Sequence, residues 1–327
     1  MKLLQRFNHP TSQICRTGSR NFSKTTKLYA AVPDNCKQPM KKSSKVHLEA
    51  KKSCQSFLEC GPCSKFKYMD IVCKIALVTG GGSSIGFAIA NELLCQNAHK
   101  VLIAHPNVEI GIKAVEALEN VYGKDKACYI PLDFQKSEEF EEIFKIMHGK
   151  FGGIDILVNN TWPLNDYKWE HDVDANLKNI MRGTLAAMKW MPKERKSMKG
   201  GIVVNVASTG GLDSESMAPI WTGTKHGVVG LSKALGFHEH FLSNGVRVVC
   251  LCPGKDNPND PLELKAPDQV KQYNQGVVRQ PPGKVGSAVT YLIRYAPSGS
   301  VWVVENSTLF KTKIPDRKTF SKIVDLL

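Results

Sequence analysis

No apolar run in this 327-residue sequence approaches the roughly 20 residues needed to cross a bilayer. The sequence therefore predicts no transmembrane segment. Acidic residues are scarce at one end, because the first 68 residues hold only Asp34, Glu49 and Glu59 against 14 Lys and Arg, a net charge of +11. The whole chain carries +14, so the other 259 residues carry only +3. The folded part is therefore not expected to bind nucleic acid, a function that the overall charge alone would favour.

The first 33 residues contain no acidic side chain and are rich in Arg, Lys, Ser and Thr. This composition is typical of a mitochondrial transit peptide, and Arg20-Asn-Phe22-Ser23 is similar to a processing site cut after Phe22. We therefore expect the protein in the mitochondrial matrix. The alternative is a disordered basic tail. Residues 34–68 are rich in lysine and too poor in apolar residues to fold alone, so they are expected to form a linker.

Five of the ten cysteines lie within residues 1–68. Cys60-Gly-Pro-Cys63 has the spacing of a thioredoxin-type redox pair, and a zinc site that includes Cys54 is an alternative. Thioredoxins place the pair between a strand and a helix, whereas here it lies in a Lys- and Ser-rich linker, so neither role is favoured. The other five cysteines lie in apolar stretches and are expected to be small buried residues in a reducing compartment.

From residue 71 onward, short apolar runs alternate with helical stretches. This alternation predicts an α/β fold, a Rossmann-type doubly wound parallel sheet of about seven strands flanked by helices, in one domain over 69–327. Strands are predicted at 74–79, 100–104, 128–132, 154–158, 201–207 and 246–252, with an edge strand at 301–304. Helices are predicted near 85–97, 108–121, 137–151, 172–192 and 219–242, and a loop over 255–285.

A glycine-rich turn joins the first predicted strand to the first helix, with the sequence Thr79-Gly80-Gly81-Gly82-Ser83-Ser84-Ile85-Gly86. Glycines let the backbone turn tightly and approach a pyrophosphate, which the N-terminus of the helix then stabilises. A turn of this kind between a strand and a helix, at the start of an α/β domain, is a specific signal for a dinucleotide site.

With this turn, the sequence resembles the short-chain dehydrogenase/reductase family over about 71–310. Within it, Gly223-Thr224-Lys225 and Gly299–Glu305 look most like the insect alcohol dehydrogenase and hydroxyprostaglandin dehydrogenase branch. The resemblance implies NAD-dependent oxidation of a secondary alcohol, a small alcohol or carbonyl substrate, and a possible homodimer built on the helices near 172–192 and 219–242. It rests on the glycine-rich turn, Asp133, Asn159-Asn160, Asn176, Ser208, Lys225 and Pro253-Gly254.

The resemblance also implies roles for individual residues. Ser208 would hold the substrate oxygen, Lys225 the ribose hydroxyls, and Asn176 a water molecule in the proton relay. No metal site is predicted. The residues implied to bind the cofactor are Thr79, Gly80, Ser84, Ile85, Gly86, Asp133, Asn159, Lys225, Pro253 and Gly254.

No tyrosine lies between Ser208 and Lys225, and Trp221 stands where the family has its catalytic tyrosine. That tyrosine is the general acid and base of the family. Indole has only an N–H donor and exchanges no proton near neutral pH. The central step implied by the resemblance therefore lacks its proton donor.

Further departures fall on other elements that would line the same cleft. They are Ser84 for the second glycine of the turn, His105 for an aspartate that holds the ribose, Thr161-Trp162 for Ala-Gly, and Pro258 for a threonine near the carboxamide. The sequence thus predicts a retained fold with impaired catalysis and with NAD binding weak or lost. The alternative is an active NAD(P)-dependent oxidoreductase whose altered proton relay uses Ser208 and Lys225.

Overall fold

The structure is a computed structural model and describes residues 68–133, 136, 138–161, 168–191, 200–216, 218–254 and 280–315. The predicted leader, nearly all of the linker and Cys60 and Cys63 lie outside these ranges. The strands are β1 (Ile75–Thr79), β2 (Lys100–His105), β3 (Ala127–Pro131), β4 (Ile156–Asn159), β5 (Ile202–Val206), β6 (Arg247–Pro253), β7 (Val301–Glu305) and β8 (Thr308–Thr312). These eight strands form one sheet in the order β3-β2-β1-β4-β5-β6-β7-β8. Strands β1 to β7 pair in parallel and β8 is antiparallel to β7.

Helices follow the strands and cover both faces of the sheet. They are α1 (Ser84–Cys95), α2 (Val108–Tyr122), α3 (Glu139–Phe151), α4 (Trp169–Val173), α5 (Asn179–Trp190), α6 (Pro219–Leu235), α7 (His238–Asn244) and α8 (Pro282–Tyr295). Between α4 and α5 the segment Asp174–Lys178 is π-helical and joins the two helices without a break. The predicted doubly wound α/β fold is confirmed.

The strands are buried because successive side chains point to opposite faces and both faces are covered. In β1, Ala76 and Val78 pack into a core cluster beneath α1 and α8, whereas Ile75 and Leu77 pack into a second cluster beneath α3 and α5. Continuous apolar runs, without alternation, are the sequence signature of such strands. This is why the sequence predicts their positions to within a few residues.

The strand predicted at 301–304 is present as β7, but its predicted position at the edge of the sheet is wrong, because β8 pairs along the whole of β7. Asn306 and Ser307 join the two strands, and both have positive φ, 49° and 61°. Such φ values suit a two-residue hairpin turn, which usually carries glycine. The predicted helix over 219–242 is also interrupted, because α6 ends at Leu235 and α7 begins at His238.

The cysteines of the folded domain divide into two groups. Cys73, Cys250 and Cys252 carry free thiols, whereas Cys95 and Cys128 are disulfide-bonded. The expectation that all five are reduced is therefore wrong for two of them. Across the described ranges, no helix combines the length and the apolar character that crossing a bilayer demands.

The helix faces expected to form a homodimer are exposed at some positions and buried in the core at others. Met191 and Val228 belong to the core, whereas Leu185 on α5 is 55% exposed and Ile220 on α6 is 38% exposed. Part of each face is thus used inside the subunit. The homodimer stays a prediction, which sedimentation of the purified protein would test; a monomer at micromolar concentration would contradict it.

Candidate active site

The predicted site residues converge where the strand order reverses, between β1 and β4. In an open parallel sheet, ligands bind outside the carboxyl ends of the strands at this point. The glycine-rich turn follows β1, Asn160 follows β4 and Ser208 lies just after β5. The arrangement predicted from the resemblance is therefore present at the level of the backbone.

The glycine-rich turn is closed by contacts with itself and with β4. Gly80 has φ +60°, and a Cβ on it would lie 2.3 Å from the carbonyl oxygen of Asn160. A Cβ on Gly86 would lie 2.1 Å from the carbonyl oxygen of Gly80. The Oγ of Ser83 caps α1 by accepting from the Gly86 N–H at 3.2 Å. Gly80 and Gly86 are thus required by packing, and Ser84, the first residue of α1, carries a side chain where the pyrophosphate would approach.

Asn160 holds the turn in place, a role that the sequence did not single out. Its backbone N–H donates to the Oγ1 of Thr79 at 3.0 Å, and its Nδ2 donates to the Oγ of Ser83 at 3.3 Å. The Oγ1 of Thr79 donates back to the carbonyl oxygen of Asn160 at 3.3 Å. The hydroxyl of Thr79 therefore joins β1 to the end of β4.

Asn159, which the resemblance implies for the cofactor, lies in a polar network inside the domain. Its Nδ2 donates to the Oδ1 of Asn205 at 2.9 Å and to the Oγ1 of Thr184 at 3.2 Å. The Nδ2 of Asn205 in turn donates to the Oγ of Ser232 at 3.0 Å. The carboxamide of Asn159 thus joins β4 to β5 and α5, and its cofactor role stays a prediction.

On the adenosine side, His105 and Asn107 are engaged with each other and with α2. The Asn107 N–H donates to the Nδ1 of His105 at 3.0 Å, and the Oδ1 of Asn107 caps α2 by accepting from the Ile110 N–H at 3.1 Å. A Cβ on Gly82 would lie 3.1 Å from the imidazole of His105 and 2.5 Å from Ile110. His105 therefore lies against the turn, and the carboxamide oxygen of Asn107 serves as a helix cap.

Asp133 follows β3 as predicted, and its carboxylate pairs with a lysine. The Nζ of Lys136 lies 2.7 Å from the Oδ2 of Asp133, and the Asp133 N–H donates to Glu139 at the start of α3. At the end of β6, the Gly254 N–H donates to the carbonyl oxygen of Val304 at 2.8 Å. Pro253 ends β6, and a cofactor role of Pro253 and Gly254 stays a prediction.

Trp221, in the first turn of α6, is 1% exposed and packs on the short turn that follows Ser208. A Cβ on Gly210 would lie 2.5 Å from the Cζ3 of Trp221, so the indole fits only because residue 210 has no side chain. The Oγ of Ser208 accepts from the Gly210 N–H at 3.2 Å. The indole therefore covers the backbone two residues from the serine that would hold the substrate oxygen.

Lys225 lies one helical turn after Trp221, on the same face of α6. Its side chain is fully buried, and its Nζ donates to the carbonyl oxygen of Thr161 at 3.1 Å and lies 5.9 Å from the centroid of the indole. Burial lowers the pKa of Lys225 to about 7, although the nearby Cys250, Asp172 and Cys252 oppose this change. The ammonium group is thus directed to the end of β4, beneath Trp221.

Asn176 is fully buried within the π-helical segment. The Oγ1 of Thr161 donates to the carbonyl oxygen of Ala175 at 3.0 Å, which ties this segment to the end of β4. Single π-helical turns inside α-helices are rare, and those that occur often lie at functional sites. No feature of the sequence predicts this one.

The groups close to Trp221 in sequence are engaged with nearby backbone. The Oγ1 of Thr224 donates to the carbonyl oxygen of Trp221 at 2.6 Å, and the Oγ1 of Thr222 donates to that of Glu215 at 3.3 Å. The exposed His226 makes its 3.1 Å contact with the carbonyl oxygen of Thr222. None of these three side chains is placed to take over the proton transfer of a tyrosine.

The N-terminus of α1 presents backbone N–H groups that can hold the phosphates of a dinucleotide. At the positions implied for the ribose hydroxyls and the adenine, Lys225 donates to Thr161, Asn107 caps α2 and Asp133 pairs with Lys136, so a bound dinucleotide would share or displace these contacts. Across the described ranges, no group of three His, Cys, Asp or Glu residues is placed to hold a metal ion. Two predicted departures, Trp162 and Pro258, lie outside the described residues.

Comparison with known proteins agrees with the Rossmann-type fold described above. The family model for short chain dehydrogenase matches residues 74–258, which is more than half of the chain. The chain belongs to the short-chain dehydrogenase family. The match spans β1 to β6, and therefore includes the glycine-rich turn, Ser208, Trp221 and Lys225.

Similar members of the family span most of the folded domain. The 15-hydroxyprostaglandin dehydrogenase [NAD(+)] of Homo sapiens is 29% identical over 248 residues, in a match that covers 72% of this chain and 91% of that protein. The protein of the same name from Bos taurus is 32% identical over 241 residues, covering 72% and 88%. Alcohol dehydrogenase 1 of Ceratitis cosyra is 28% identical over 251 residues, covering 75% and 96%. The branch indicated by the sequence resemblance is confirmed.

The packing of the glycine-rich turn predicts opposite effects for two Gly-to-Ala changes in helices. Gly86→Ala forces a methyl group against the Gly80 carbonyl and is expected to lower the free energy of unfolding by about 2–3 kcal/mol. Gly223→Ala adds its methyl group to an exposed position of α6 with no atom within 4 Å, and is expected to raise it by about 0.5–1 kcal/mol. Urea unfolding of both variants tests this; equal effects would contradict the packing.

Proposed function

We propose that this member of the family has lost, or retains only weakly, the NAD-dependent oxidation of secondary alcohols and reduction of ketones, and that its binding of NAD is weak or lost. The observation that carries the proposal is the indole of Trp221, buried against Gly210 beside Ser208. The proposed weak binding is consistent with the contacts of Lys225 to Thr161, Asp133 to Lys136 and Asn107 to α2, with which a cofactor would compete. The retained fold is then a scaffold for binding a small molecule.

The chemical reason lies at the substrate oxygen. NAD, when bound, accepts or supplies a hydride, and the oxygen must lose or gain a proton in the same reaction. A positioned acid or base accelerates such a step by roughly 10²–10⁴-fold. Ser208 can donate a hydrogen bond to that oxygen, but its hydroxyl has too high a pKa to exchange the proton without a base. With Trp221 in place of tyrosine, the site can hold an alcohol, but no side chain beside Ser208 accepts the proton of its hydroxyl group.

Restoring the phenol tests this account. At millimolar NAD⁺, Trp221→Tyr is expected to oxidise secondary alcohols roughly 10²-fold faster than the parent, because it regains an acid/base beside Ser208. Trp221→Phe is the matched control, since it opens the same space without a hydroxyl, and it is expected to stay at the level of the parent. NADH formation measures both. A parent whose turnover equals that of Trp221→Tyr would contradict the proposal.

The second candidate is an active NAD(P)-dependent oxidoreductase whose proton relay uses Ser208 and Lys225. The observation that favours it is the pKa of Lys225, which burial lowers to about 7. A group with a pKa near the working pH is suited to general acid/base catalysis. Against it stand the hydrogen bond of the amine to Thr161 and the position of the indole above it.

The protonation of Lys225 can be measured through stability. Above pH 7 the folded chain holds this amine neutral, whereas the unfolded chain keeps it protonated up to its ordinary pKa of about 10.5. The unfolded state therefore binds more protons, so Lys225 makes the free energy of unfolding rise with pH by up to about 1.4 kcal/mol per pH unit. Lys225→Met is expected to lose this slope between pH 7 and 9, and Lys233→Met, on the same helix, is expected to keep it. Equal slopes for the parent and Lys225→Met would rule out a neutral lysine and with it the second candidate.

We propose that residues 1–33 direct the protein to mitochondria. The proposal is supported by their basic, hydroxyl-rich composition and by the Arg20-Asn-Phe22-Ser23 segment. Incubated with isolated mitochondria, the full chain is expected to become protease-protected and to begin at Ser23, as N-terminal sequencing would show. Replacing Arg6, Arg16 and Arg20 by Gln is expected to abolish import. Equal import of this variant would contradict the proposal.

A further inference from the structure

Three neighbouring apolar side chains lie at the surface where α6 ends and α7 begins. Phe237 is 63% exposed and Leu242 is 70% exposed. Phe241, which is partly buried, lies one helical turn after Phe237, and its N–H donates to the Phe237 carbonyl oxygen at 3.2 Å. We call these three residues the α7 patch. Adjacent apolar side chains at a surface, unlike single ones, indicate a place that another element or molecule covers.

The chain leaves the described domain close to this patch. β8 runs antiparallel to β7, so it ends where β7 begins. Soon after β8, Ile314 lines a cleft together with Gly299 and with Lys233 of the last turn of α6. Gly236, the residue before Phe237, packs on Gly299, since a Cβ on Gly236 would lie 2.3 Å from the Cα of Gly299. The rest of the chain therefore begins near the α7 patch.

The last part of the chain has the sequence pattern of an amphipathic helix. Residues 316–327 lie outside the described ranges, and their sequence is Asp-Arg-Lys-Thr-Phe-Ser-Lys-Ile-Val-Asp-Leu-Leu. In a helix, four of its apolar side chains would fall within an arc of about 100°, with lysine and aspartate on the opposite side. The residues of this apolar stripe are Phe320, Ile323, Val324 and Leu327. Such a stripe is typical of a surface helix that packs on a domain.

A helix of this length depends on a surface to pack against. Isolated helices shorter than about 12–15 residues are marginal in water, and most helical stability in proteins comes from packing the apolar face. Residues 316–327 would form a helix about 18 Å long, which exceeds the length of the seven-residue α7. Contact between the stripe and the α7 patch would remove apolar surface of both from water.

We propose that residues 316–327 pack as a helix on the α7 patch through the apolar stripe. The chain's own end is favoured over a separate molecule, because a segment tethered next to a surface has an effective concentration of about millimolar. The packed segment ties the end of β8 to α7 at the end of the sheet opposite Ser208. This contact is independent of whether the domain binds NAD.

Urea unfolding of the full chain tests the contact. Leu242→Gln and Val324→Gln are each expected to lower the urea midpoint by about 0.5 M, because each places a polar group in an apolar contact. His240→Gln and Lys322→Gln are the matched controls and are expected to unfold like the parent. His240 is exposed on α7, and Lys322 lies opposite the apolar stripe. Leucine and glutamine have similar helix propensities, so a change in α7 itself does not account for the expected shift.

The double variant Leu242→Gln/Val324→Gln is expected to shift the midpoint by less than the sum of the two single shifts, because both substitutions weaken one contact. Hydrogen exchange of the α7 amides is expected to be about tenfold faster in Val324→Gln than in the parent. Additive shifts would overturn the proposal, as would equal midpoints for Leu242→Gln and His240→Gln. A parent midpoint that rises with protein concentration, with no effect of Val324→Gln, would also overturn it and assign the patch to a second copy of the chain.

Discussion

The structure depends on the close approach of the glycine-rich turn to the end of β4. Gly80 and Gly86 leave no room for a Cβ, and Asn160 bonds to Thr79 and Ser83 across the gap. This contact sets the positions of β1 and β4 at the point where the strand order reverses. It also positions the start of α1. The same constraint gives the turn a packing role that does not depend on a bound ligand.

The residues at the expected catalytic positions are held by contacts within the domain. Trp221 stands where the resemblance places the catalytic tyrosine and is accommodated by Gly210, and the Nζ of Lys225 donates to the carbonyl oxygen of Thr161. The pair of Trp221 and Gly210 is an adjusted packing arrangement, since a side chain at position 210 would collide with the indole. The domain therefore combines a buried core with a large indole packed beside Ser208. Fold and function are separable in this way, because function depends on the site and not on the scaffold.

Much of the architecture could be predicted from the sequence, because strands buried on both faces leave continuous apolar runs. The position of the glycine-rich turn and the residues around Ser208 could be predicted for a similar reason, since fixed spacing carries them. The hairpin at Asn306-Ser307 lacks the usual glycine, and the π-helical segment around Asn176 has no sequence signature. The roles of Gly210 and Asn160 depend on contacts between residues distant in the chain. Such contacts follow from the folded geometry alone.

We propose that the domain has kept the fold of an oxidoreductase while losing its cofactor contacts and its proton donor. The most direct test is a titration of the purified parent protein with NADH, followed by calorimetry and by the fluorescence of the nicotinamide. No saturable binding is expected below millimolar NADH. Micromolar binding together with steady oxidation of a secondary alcohol by the parent would contradict it.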